Sequence, residues 1–324
     1  MKKPELLSPA GNLKKAKTAL AFGADAVYVG VPFFSLRARI NDFDPGKIKN
    51  IVSYAEKKGK KIYATVNIIA HDRHIKKLPL HLKKLKEAGV HGVIISDPGI
   101  LEIVKEEWPE VEVHLSTQAN CLNGRAAQFW EQAGVKRIIL GREATFRDIK
   151  EIRRNCPAME LEYFVHGAMC MAYSGRCFLS RFFRDRSANL GDCAHPCRWE
   201  YDLVEKVSGD SLRIAEEESG TYFLNSRDLC LIDDLVELSR AGIDTFKIEV
   251  RDLSAEFEDA KDYLAKGITR SEDESLIEKF SNIEGHQDIV YFKVDWLDID
   301  ASNLKVNFLN TKGFVSVKDN KLLN

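Results

Sequence analysis

Four cysteines lie close together near the middle of the chain, at Cys170, Cys177, Cys193 and Cys197. Their spacing is C-x6-C-x15-C-x3-C, and four thiolates form the complete ligand set of a 4Fe–4S cluster or of a structural zinc ion. The step from Cys170 to Cys177 is wide for a zinc knuckle, and irregular spacing suits an iron–sulfur cluster better. The sequence therefore predicts a cysteine-ligated metal centre, with a 4Fe–4S cluster favoured over zinc.

The amino-acid composition limits the class of protein to which this metal centre belongs. The chain has 324 residues, of which 44% are hydrophobic and 30% charged, as in ordinary globular proteins. No signal-peptide pattern opens it and no apolar run is long enough to cross a membrane, so we expect a cytoplasmic protein without a membrane partner. Seven cysteines are an odd number, which disfavours a disulfide framework in such a chain and favours metal binding.

Basic residues are concentrated in the first hundred positions. Residues 1–100 contain 19 Lys and Arg against 8 Asp and Glu, whereas residues 201–324 contain 15 against 27. A basic region is compatible with a polyanion-binding face, but lysines on solvated helix surfaces produce the same excess. On charge alone we favour the second interpretation.

Short apolar segments alternate with amphipathic segments along most of the chain. The apolar segments predict buried parallel strands at Leu6–Ser8, Ala26–Gly30, Lys61–Asn67, Gly92–Asp97, Glu112–Thr117, Arg137–Gly141, Glu160–His166 and Thr245–Val250. The amphipathic segments predict helices at Leu13–Phe22, Ile48–Lys58, Lys77–Ala88, Gly124–Ala133, Phe146–Arg154 and Cys230–Ala241. This alternation predicts an α/β protein with a (β/α)8 TIM-like barrel. A doubly wound open sheet is the rival, but no Gly-x-Gly-x-x-Gly follows the first strand.

The seventh and eighth predicted strands are separated by far more residues than a barrel unit needs. This Cys-rich insertion, assigned to residues 168–228, contains the four cysteines and a predicted β-ribbon near Trp199–Val204. We assign residues 1–267 to the barrel with its insertion. Residues 268–324 are assigned to a small β-rich C-terminal segment, because their alternating pattern predicts antiparallel strands.

Functional residues of a (β/α)8 barrel sit at the C-terminal ends of its strands, and these ends are polar here. The predicted substrate-binding residues at the strand ends are Asn67, Gln118 and Asn120. The predicted catalytic residues are Arg142, His166, Glu249 and Arg251. Strand ends are polar in most barrels because loops are exposed, so this ring is a weaker signal than the cysteines.

Arginines and aromatic residues are interleaved with the cysteines, and Tyr173 and Arg176 among them are predicted to bind substrate. Arginine recognises phosphate and carboxylate, and aromatic rings stack on splayed RNA bases. A packed cover over the metal centre would have the same composition, and the two interpretations are evenly balanced. Cys230 is either a fifth thiol near the centre or, as we favour, a buried cysteine on a helix.

Several segments resemble the peptidase U32 family. The resemblance is carried by ELLSPAGNL at residues 5–13, GADAVYVG at 23–30, SDPG at 96–99, STQAN at 116–120, EYFVHGAMC at 162–170, SGRCFLS at 174–180 and NSRDL at 225–229. The segment CAHPCRWEY at 193–201 is most similar to the branch of the family that hydroxylates tRNA. One departure is KIEVR at 247–251, where the family usually has KIEGR.

The resemblance implies a hydroxylase that carries a 4Fe–4S cluster and works without O2. It places the cluster ligands on Cys170, Cys177, Cys193 and Cys197, and it makes an RNA base the expected substrate, with the wobble uridine of tRNA favoured. It also implies that oxygen comes from a small carboxylate donor such as prephenate, for which arginine forks are suited. The electron donor stays unassigned.

Three alternatives stay open at this point. The substrate of a hydroxylase could be ribosomal RNA or a quinone precursor instead of tRNA. The older name of the family implies a collagenase-like peptidase; the sequence has no His-Glu-x-x-His or Gly-x-Ser-x-Gly, although Cys170 or Cys177 with His166 could mimic a thiol protease pair. An RNA-binding module that carries a cluster or zinc without catalysing a reaction is the third alternative.

Overall fold

The computed structural model describes residues 3–36, 42–167, 170, 172–198, 203–204, 211–212, 229–249, 292–295, 305–310, 313–318 and 321–322. Its strands are β1 (Glu5–Ala10), β2 (Ala26–Gly30), β3 (Lys61–Val66), β4 (Gly92–Ile95), β5 (Glu112–Leu115), β6 (Arg137–Ile139), β7 (Glu160–Gly167), β8 (Leu203–Val204), β9 (Ser211–Leu212), β10 (Leu229–Cys230), β11 (Thr245–Glu249), β12 (Phe292–Asp295), β13 (Lys305–Asn310), β14 (Gly313–Lys318) and β15 (Lys321–Leu322). Its α-helices are α1 (Leu13–Ala21), α2 (Pro45–Glu56), α3 (Asp72–Ile75), α4 (Leu78–Ala88), α5 (Pro98–Glu107), α6 (Gly124–Gln132), α7 (Phe146–Asn155), α8 (Leu179–Arg184) and α9 (Leu235–Ala241).

Eight parallel strands close into a barrel. Strands β1 to β7 pair in chain order, and β11 lies between β7 and β1, which completes the ring. The predicted (β/α)8 barrel is therefore confirmed, and the open-sheet alternative is wrong. Closure brings the carboxyl ends of all eight strands to one end of the barrel, which we call the mouth.

Apolar packing on both sides of the strands holds the barrel together. Outward-facing residues such as Val27, Val29 and Ile62 are buried under the helices. A second cluster, which includes Leu7, Tyr63 and other inward-facing side chains, fills the interior. Both faces of most barrel strands are therefore buried, which explains why the sequence shows continuous apolar runs rather than strict alternation.

The hydrophobic periodicity of the sequence did not predict helix α5, although the sequence contains an N-terminal capping signal at Asp97 and Pro98. The carboxylate of Asp97 accepts hydrogen bonds from the backbone N–H of Gly99 at 2.8 Å and of Ile100 at 3.2 Å. Pro98 occupies the first helical position, where a missing N–H costs nothing. Asp97 was predicted as the last residue of a strand, but it caps the following helix instead.

The insertion returns to the barrel through β10, which pairs antiparallel with the end of β7. In this pairing Leu229 lies opposite Gly167, and Cys230 lies opposite His166. Strand β10 occupies the edge of β7 away from β11, and β6 pairs only with the first residues of that edge. The prediction that Cys230 lies buried on a helix is wrong: helix α9 begins at Leu235, and Cys230 is exposed. Cys230 lies in a strand because β6 does not pair with the end of β7. The backbone groups there pair with the segment Leu229–Cys230 instead.

The predicted small β unit near the C-terminus is present as strands β12 to β15, which pair antiparallel in chain order. Strands β8 and β9 form a two-stranded antiparallel ribbon, as predicted near Trp199–Val204. The domain boundary after residue 267 lies outside the described residues and stays a prediction.

Candidate functional site

A run of hydrogen-bonded polar side chains crosses the mouth from the end of β3 to the end of β5. The Nδ2 of Asn67 donates to the Oγ of Ser116 at 3.3 Å, and the Ser116 hydroxyl donates to the Oε1 of Gln118. The Oδ1 of Asn67 also accepts from the backbone N–H of Leu36 at 3.2 Å, which ties down the loop after β2. All three polar side chains are buried, so leaving these groups unpaired would be costly. The structure thus brings the two predicted residues Asn67 and Gln118 together through Ser116, which was not among the predicted site residues.

Arg142 and Glu249 meet at the mouth and form an ion pair. Both side chains are largely buried, and the guanidinium of Arg142 lies over the ring of Phe164, 3.9 Å from its centroid. A planar guanidinium that is stacked on one face and bonded to a carboxylate at one edge has a fixed orientation. Arg142 and Glu249 were both predicted as catalytic residues, and here the guanidinium of Arg142 donates to the carboxylate of Glu249. Arg251 lies outside the described residues.

Below the mouth, a second set of charges is buried inside the barrel. The Nζ of Lys247 donates to Glu162 Oε1 at 2.7 Å, and Arg137 donates to Glu5 Oε1 at 2.6 Å and to Glu162 Oε2 at 3.5 Å. Burial opposes ionisation of Glu162, but Lys247 and Arg137 hold the pKa of its carboxyl below the ordinary value. Burial lowers the pKa of Lys247, and Glu162 acts in the opposite direction.

The position of these buried charges indicates that their role is structural. Glu5 and Arg137 are the first residues of β1 and β6, at the end of the barrel opposite the mouth. The network therefore fills the floor of the barrel and leaves the chemistry to the other end. Sequence reasoning missed it, although a charged residue at every second position of an otherwise apolar strand, as with Glu160 and Glu162, was a usable signal.

The Cys-rich insertion is bonded to the mouth at several points. The carboxylate of Glu143, in the loop after β6, accepts from the backbone N–H of Ser174 at 2.6 Å and from its hydroxyl at 2.7 Å. The Nε of Arg176 donates to the backbone carbonyl of Gln118 at 2.8 Å. Asn189 accepts from the N–H of Cys177 at 3.1 Å, and its own carbonyl accepts from Ile69 at 3.0 Å. These bonds position the cysteine segment over the ends of β3, β5 and β6.

Close backbone contact also fixes the insertion. Gly191 has a φ of +86°, and a Cβ added to it would lie 2.3 Å from the backbone oxygen of Ser35 in the loop after β2. Only glycine combines this left-handed conformation with so close an approach. Any larger residue at this position would push the segment that precedes Cys193 away from the barrel.

The four predicted ligand cysteines lie on this docked segment, with Cys170 exposed and the other three partly buried. Burial raises the pKa of the Cys193 thiol, an effect partly offset by the backbone N–H of His195, and the nearby thiols of Cys197, Cys177 and Cys170 raise it further. The other three thiols thus lie within electrostatic reach of Cys193. Within the described part of the chain, however, no three His, Cys, Asp or Glu side chains are arranged as a ready-made metal site. The donor chemistry fits an iron–sulfur cluster, although the thiols are not arranged in a ligating geometry.

The remaining cysteines are outside this group. Cys156 directly follows helix α7 and is buried, and burial raises its pKa. Cys121 is buried as well, and burial raises its pKa to about 12, so its thiol stays protonated. Buried thiols of this kind are inert. All seven cysteines lie within the described residues, and none is joined in a disulfide.

Three other predicted residues have different environments. Tyr173 is exposed on the insertion, beside the buried Ser174. His166 lies near the end of β7, opposite Ile248 on one edge and Cys230 on the other. Asn120 has a left-handed φ of +55°, and its Nδ2 is buried with no hydrogen-bond partner among the residues that the structure describes. Asn120 is therefore not part of the hydrogen-bonded run that contains Gln118.

No helix in the described part of the chain is long and apolar enough to span a membrane.

This chain is similar to known proteins of one family. The family model for peptidase family U32 matches residues 11–264. The "tRNA hydroxylation protein P" of Escherichia coli strain K12 is 41% identical over 291 residues, which cover 78% of this chain and 64% of that protein. The "tRNA hydroxylation protein P1" of Bacillus subtilis strain 168 is 43% identical over 250 residues, which cover 77% of this chain and 59% of that protein. The chain thus spans about three fifths of the length of these curated relatives.

A solved structure shares the architecture. The U32 peptidase Mk0906 superposes with a TM-score of 0.50 at 16% sequence identity, over 76% of this chain and 93% of that chain. At this identity the likeness concerns the fold alone.

Proposed function

This chain belongs to peptidase family U32, and from that premise we propose that it hydroxylates an RNA base, with the wobble uridine of tRNA as the favoured substrate. Relatives at 41% and 43% identity are named for tRNA hydroxylation. The observation that carries the proposal is the docking of a four-cysteine segment across the mouth of the barrel. Hydroxylation needs a redox centre beside a polar substrate site, and the bonds of Ser174 to Glu143 and of Arg176 to Gln118 hold the two together.

We propose that Cys170, Cys177, Cys193 and Cys197 hold a 4Fe–4S cluster. Four thiolates supply its complete ligand set, and the bound cluster would exchange electrons with the reaction at the mouth. Two other described cysteines, Cys121 and Cys156, are poorer candidates, because burial raises the pKa of both thiols and keeps them protonated.

The protein's own side chains would position the reactants. Replacing a base C–H by C–OH is a two-electron oxidation, so the donor that gives up the oxygen atom must accept those two electrons. We propose a small carboxylate such as prephenate as this donor, bound beside Arg142. Glu249 and the Phe164 ring fix the guanidinium plane, which reduces the entropy that would otherwise be lost when a second carboxylate binds. Asn67 and Gln118, at the ends of β3 and β5, offer oriented amide groups to the base.

The test is direct. Anaerobically purified protein is incubated with unmodified tRNA and prephenate, and the digested nucleosides are analysed by mass spectrometry. We expect a uridine derivative heavier by one oxygen, formed equally well without O2. Protein with its full complement of iron that forms no such nucleoside from tRNA, but that oxidises a quinone precursor, would overturn the RNA assignment.

A further inference from the structure

Helix α8, in the middle of the cysteine segment, buries a polar side chain and exposes apolar ones. Ser180 is completely buried, where its hydroxyl accepts from the backbone N–H of Ala194 at 2.7 Å, next to Cys193. Phe178 and Phe182 are 80% and 82% exposed. A helix that packs for stability alone buries phenylalanine and exposes serine, since removing an apolar ring from water is favourable. This helix does the opposite while its inner side supports the cysteine loop.

The two phenylalanines form one surface. The backbone N–H of Phe182 donates to the carbonyl of Phe178 at 2.9 Å, which places the two side chains one turn apart on the same side of the helix. Phe182 also makes an edge-to-face contact with Phe183, with ring centroids 5.1 Å apart. We call Phe178, Phe182 and Phe183 the α8 aromatic surface. It is not a packed cover over the metal centre, because the outer rings contact solvent.

Exposed apolar side chains are concentrated at this end of the molecule. Among the residues that the structure describes, the large exposed hydrophobic side chains are Phe33, Ile69, Leu80, Phe129, Tyr173, Phe178, Phe182 and Phe183. Leu80 and Phe129 lie on outer helices, and the other six lie on the insertion or on the loops after β2 and β3, at the mouth. Solvent-exposed apolar groups collected at one end of a protein mark a binding surface.

The charge of the residues around the α8 aromatic surface indicates which kind of ligand it binds. Residues 172–198 contain five arginines against two aspartates. Both aspartates are already paired: Asp185 lies 3.1 Å from Arg181, and Asp192 lies 2.7 Å from Arg186. Exposed rings in a segment with a net positive charge suit a ligand that presents flat apolar faces along an anionic backbone. Single-stranded nucleic acid has this chemistry, because its bases stack on aromatic rings and its phosphates pair with arginine.

We propose that the α8 aromatic surface stacks against unpaired bases of an RNA loop, and so holds the loop while one of its bases enters the mouth. This inference rests on the proposed function, because it takes RNA as the substrate. The surface lies on the outer side of the helix whose inner side holds the cysteine loop, so the stacked bases would be near neighbours of the base that reacts. Unpaired bases are required, because bases within a duplex already stack on one another.

The affinity test uses a fluorescently labelled tRNA transcript and an isolated anticodon stem-loop, titrated with the whole protein. Stacking of one base on an aromatic side chain is worth about tenfold to a hundredfold in affinity. We expect Phe182→Ala to weaken binding by about tenfold and the Phe178→Ala, Phe182→Ala double variant by more. The slope of log affinity against log salt should not change in either variant, because neither substitution removes a phosphate contact.

Three further variants make the test specific. Phe182→Leu keeps an apolar side chain but removes the aromatic face, so it should weaken binding nearly as much as Phe182→Ala. Phe182→Trp should retain or improve binding. Phe129→Ala removes an exposed phenylalanine (61% exposed) from α6, on the outside of the barrel, and should leave RNA affinity unchanged.

Other occupants of the surface give different results. If another part of this chain covers it, Phe182→Ala lowers the melting temperature and leaves RNA affinity unchanged. If a second copy covers it, the double variant changes the sedimentation coefficient instead. If Phe182→Leu binds RNA as the original protein does, the contact is apolar and is not stacking. Each of these outcomes overturns the inference.

Failure of this inference is separable from failure of the proposed function. If the double variant binds and hydroxylates tRNA normally, the inference is wrong and the function stands. If the original protein binds the stem-loop through these rings but modifies no RNA, the inference stands and the hydroxylase assignment falls. If the original protein binds no RNA, both are wrong.

Discussion

Ser174 and Glu143 join the cysteine segment to the barrel through two hydrogen bonds to one carboxylate. The backbone N–H of Ser174 lies 2.6 Å from Glu143 Oε1, and its hydroxyl lies 2.7 Å from Oε2. Ser174 is buried and adopts a left-handed φ of +45°. Such a conformation is unfavourable for serine and persists only where surrounding contacts hold it, so this carboxylate is a main anchor of the insertion.

Glu143→Ala should therefore loosen the insertion. The substitution removes both acceptors and leaves a buried hydroxyl and an N–H unpaired, so we expect unfolding free energy to fall by about 1–3 kcal/mol. Limited proteolysis should cleave the variant faster between residues 168 and 198, and bound iron should be lost faster on dilution. Glu151→Ala, which removes an exposed glutamate bonded to Arg154 on α7, is the matched control and should change stability little. Equal protease resistance of Glu143→Ala and the original protein would show that other contacts suffice.

The second prediction concerns the cysteines. Serine substitution of Cys170, Cys177, Cys193 or Cys197 should each lower the iron and sulfide content of anaerobically purified protein, since a cubane cluster needs four protein ligands. Cys230→Ser is the control, because this exposed thiol lies on β10 and outside the four-cysteine spacing. Iron content that depends on Cys230 as much as on Cys193, or stoichiometric zinc in strictly anaerobic protein, would contradict the proposed cluster.

The third prediction concerns the orientation of Arg142. Arg142→Lys keeps the positive charge but loses the planar group that stacks on Phe164 and bonds to Glu249. We expect hydroxylation to fall by about tenfold or more through a higher KM for the carboxylate donor, while iron content and RNA affinity stay unchanged. Arg154→Lys, at an exposed arginine of α7, is the control.

The alternative role for Arg142 is purely structural. In that case turnover in Arg142→Lys would fall only in step with the melting temperature, and the KM for the donor would not change. Measuring the two quantities on the same preparation separates the roles.

The fourth prediction concerns pH and the partly buried His81. Its ring packs on Phe34 with centroids 4.5 Å apart, and burial, aided by the nearby Lys84, lowers its pKa to about 4. The unfolded chain, with an ordinary histidine pKa near 6.5, binds the proton first as the pH falls. The contribution of His81 to stability is therefore complete above about pH 6.5 and is lost progressively towards pH 4, by about 3 kcal/mol at most.

His81→Phe should remove this pH dependence. The Nε2 of His81 is buried without a hydrogen-bond partner among the described residues, so an apolar ring costs no hydrogen bond there. We expect the difference in unfolding free energy between variant and original protein to grow as the pH falls from 6.5 to 4.5, in urea denaturation at each pH. A difference that stays constant over this range would show that His81 is accessible to protons in the folded state.

The sequence determined by itself the features that depend on local pattern. Runs of buried β-branched residues alternating with helices identified the eight barrel strands, because strand and helix periodicities are properties of neighbouring residues. The spacing of the four cysteines identified the candidate metal ligands for the same reason. Strand ends were less certain: residues such as Asn67 and Asp97 were assigned to strands, but they follow them in loops or caps.

Only the tertiary structure decided which distant residues meet. Arg142 and Glu249 are 107 positions apart, and closure of the barrel makes them partners. Glu143 and Ser174 meet because the insertion folds back over the mouth, and Cys230 joins β7 because a free strand edge is present there. The sequence could not predict whether Phe178 is exposed, for the same reason. A composition of aromatic and basic residues suits a core or a surface equally, and only the orientation of α8, fixed by the buried hydroxyl of Ser180, turns the rings to solvent.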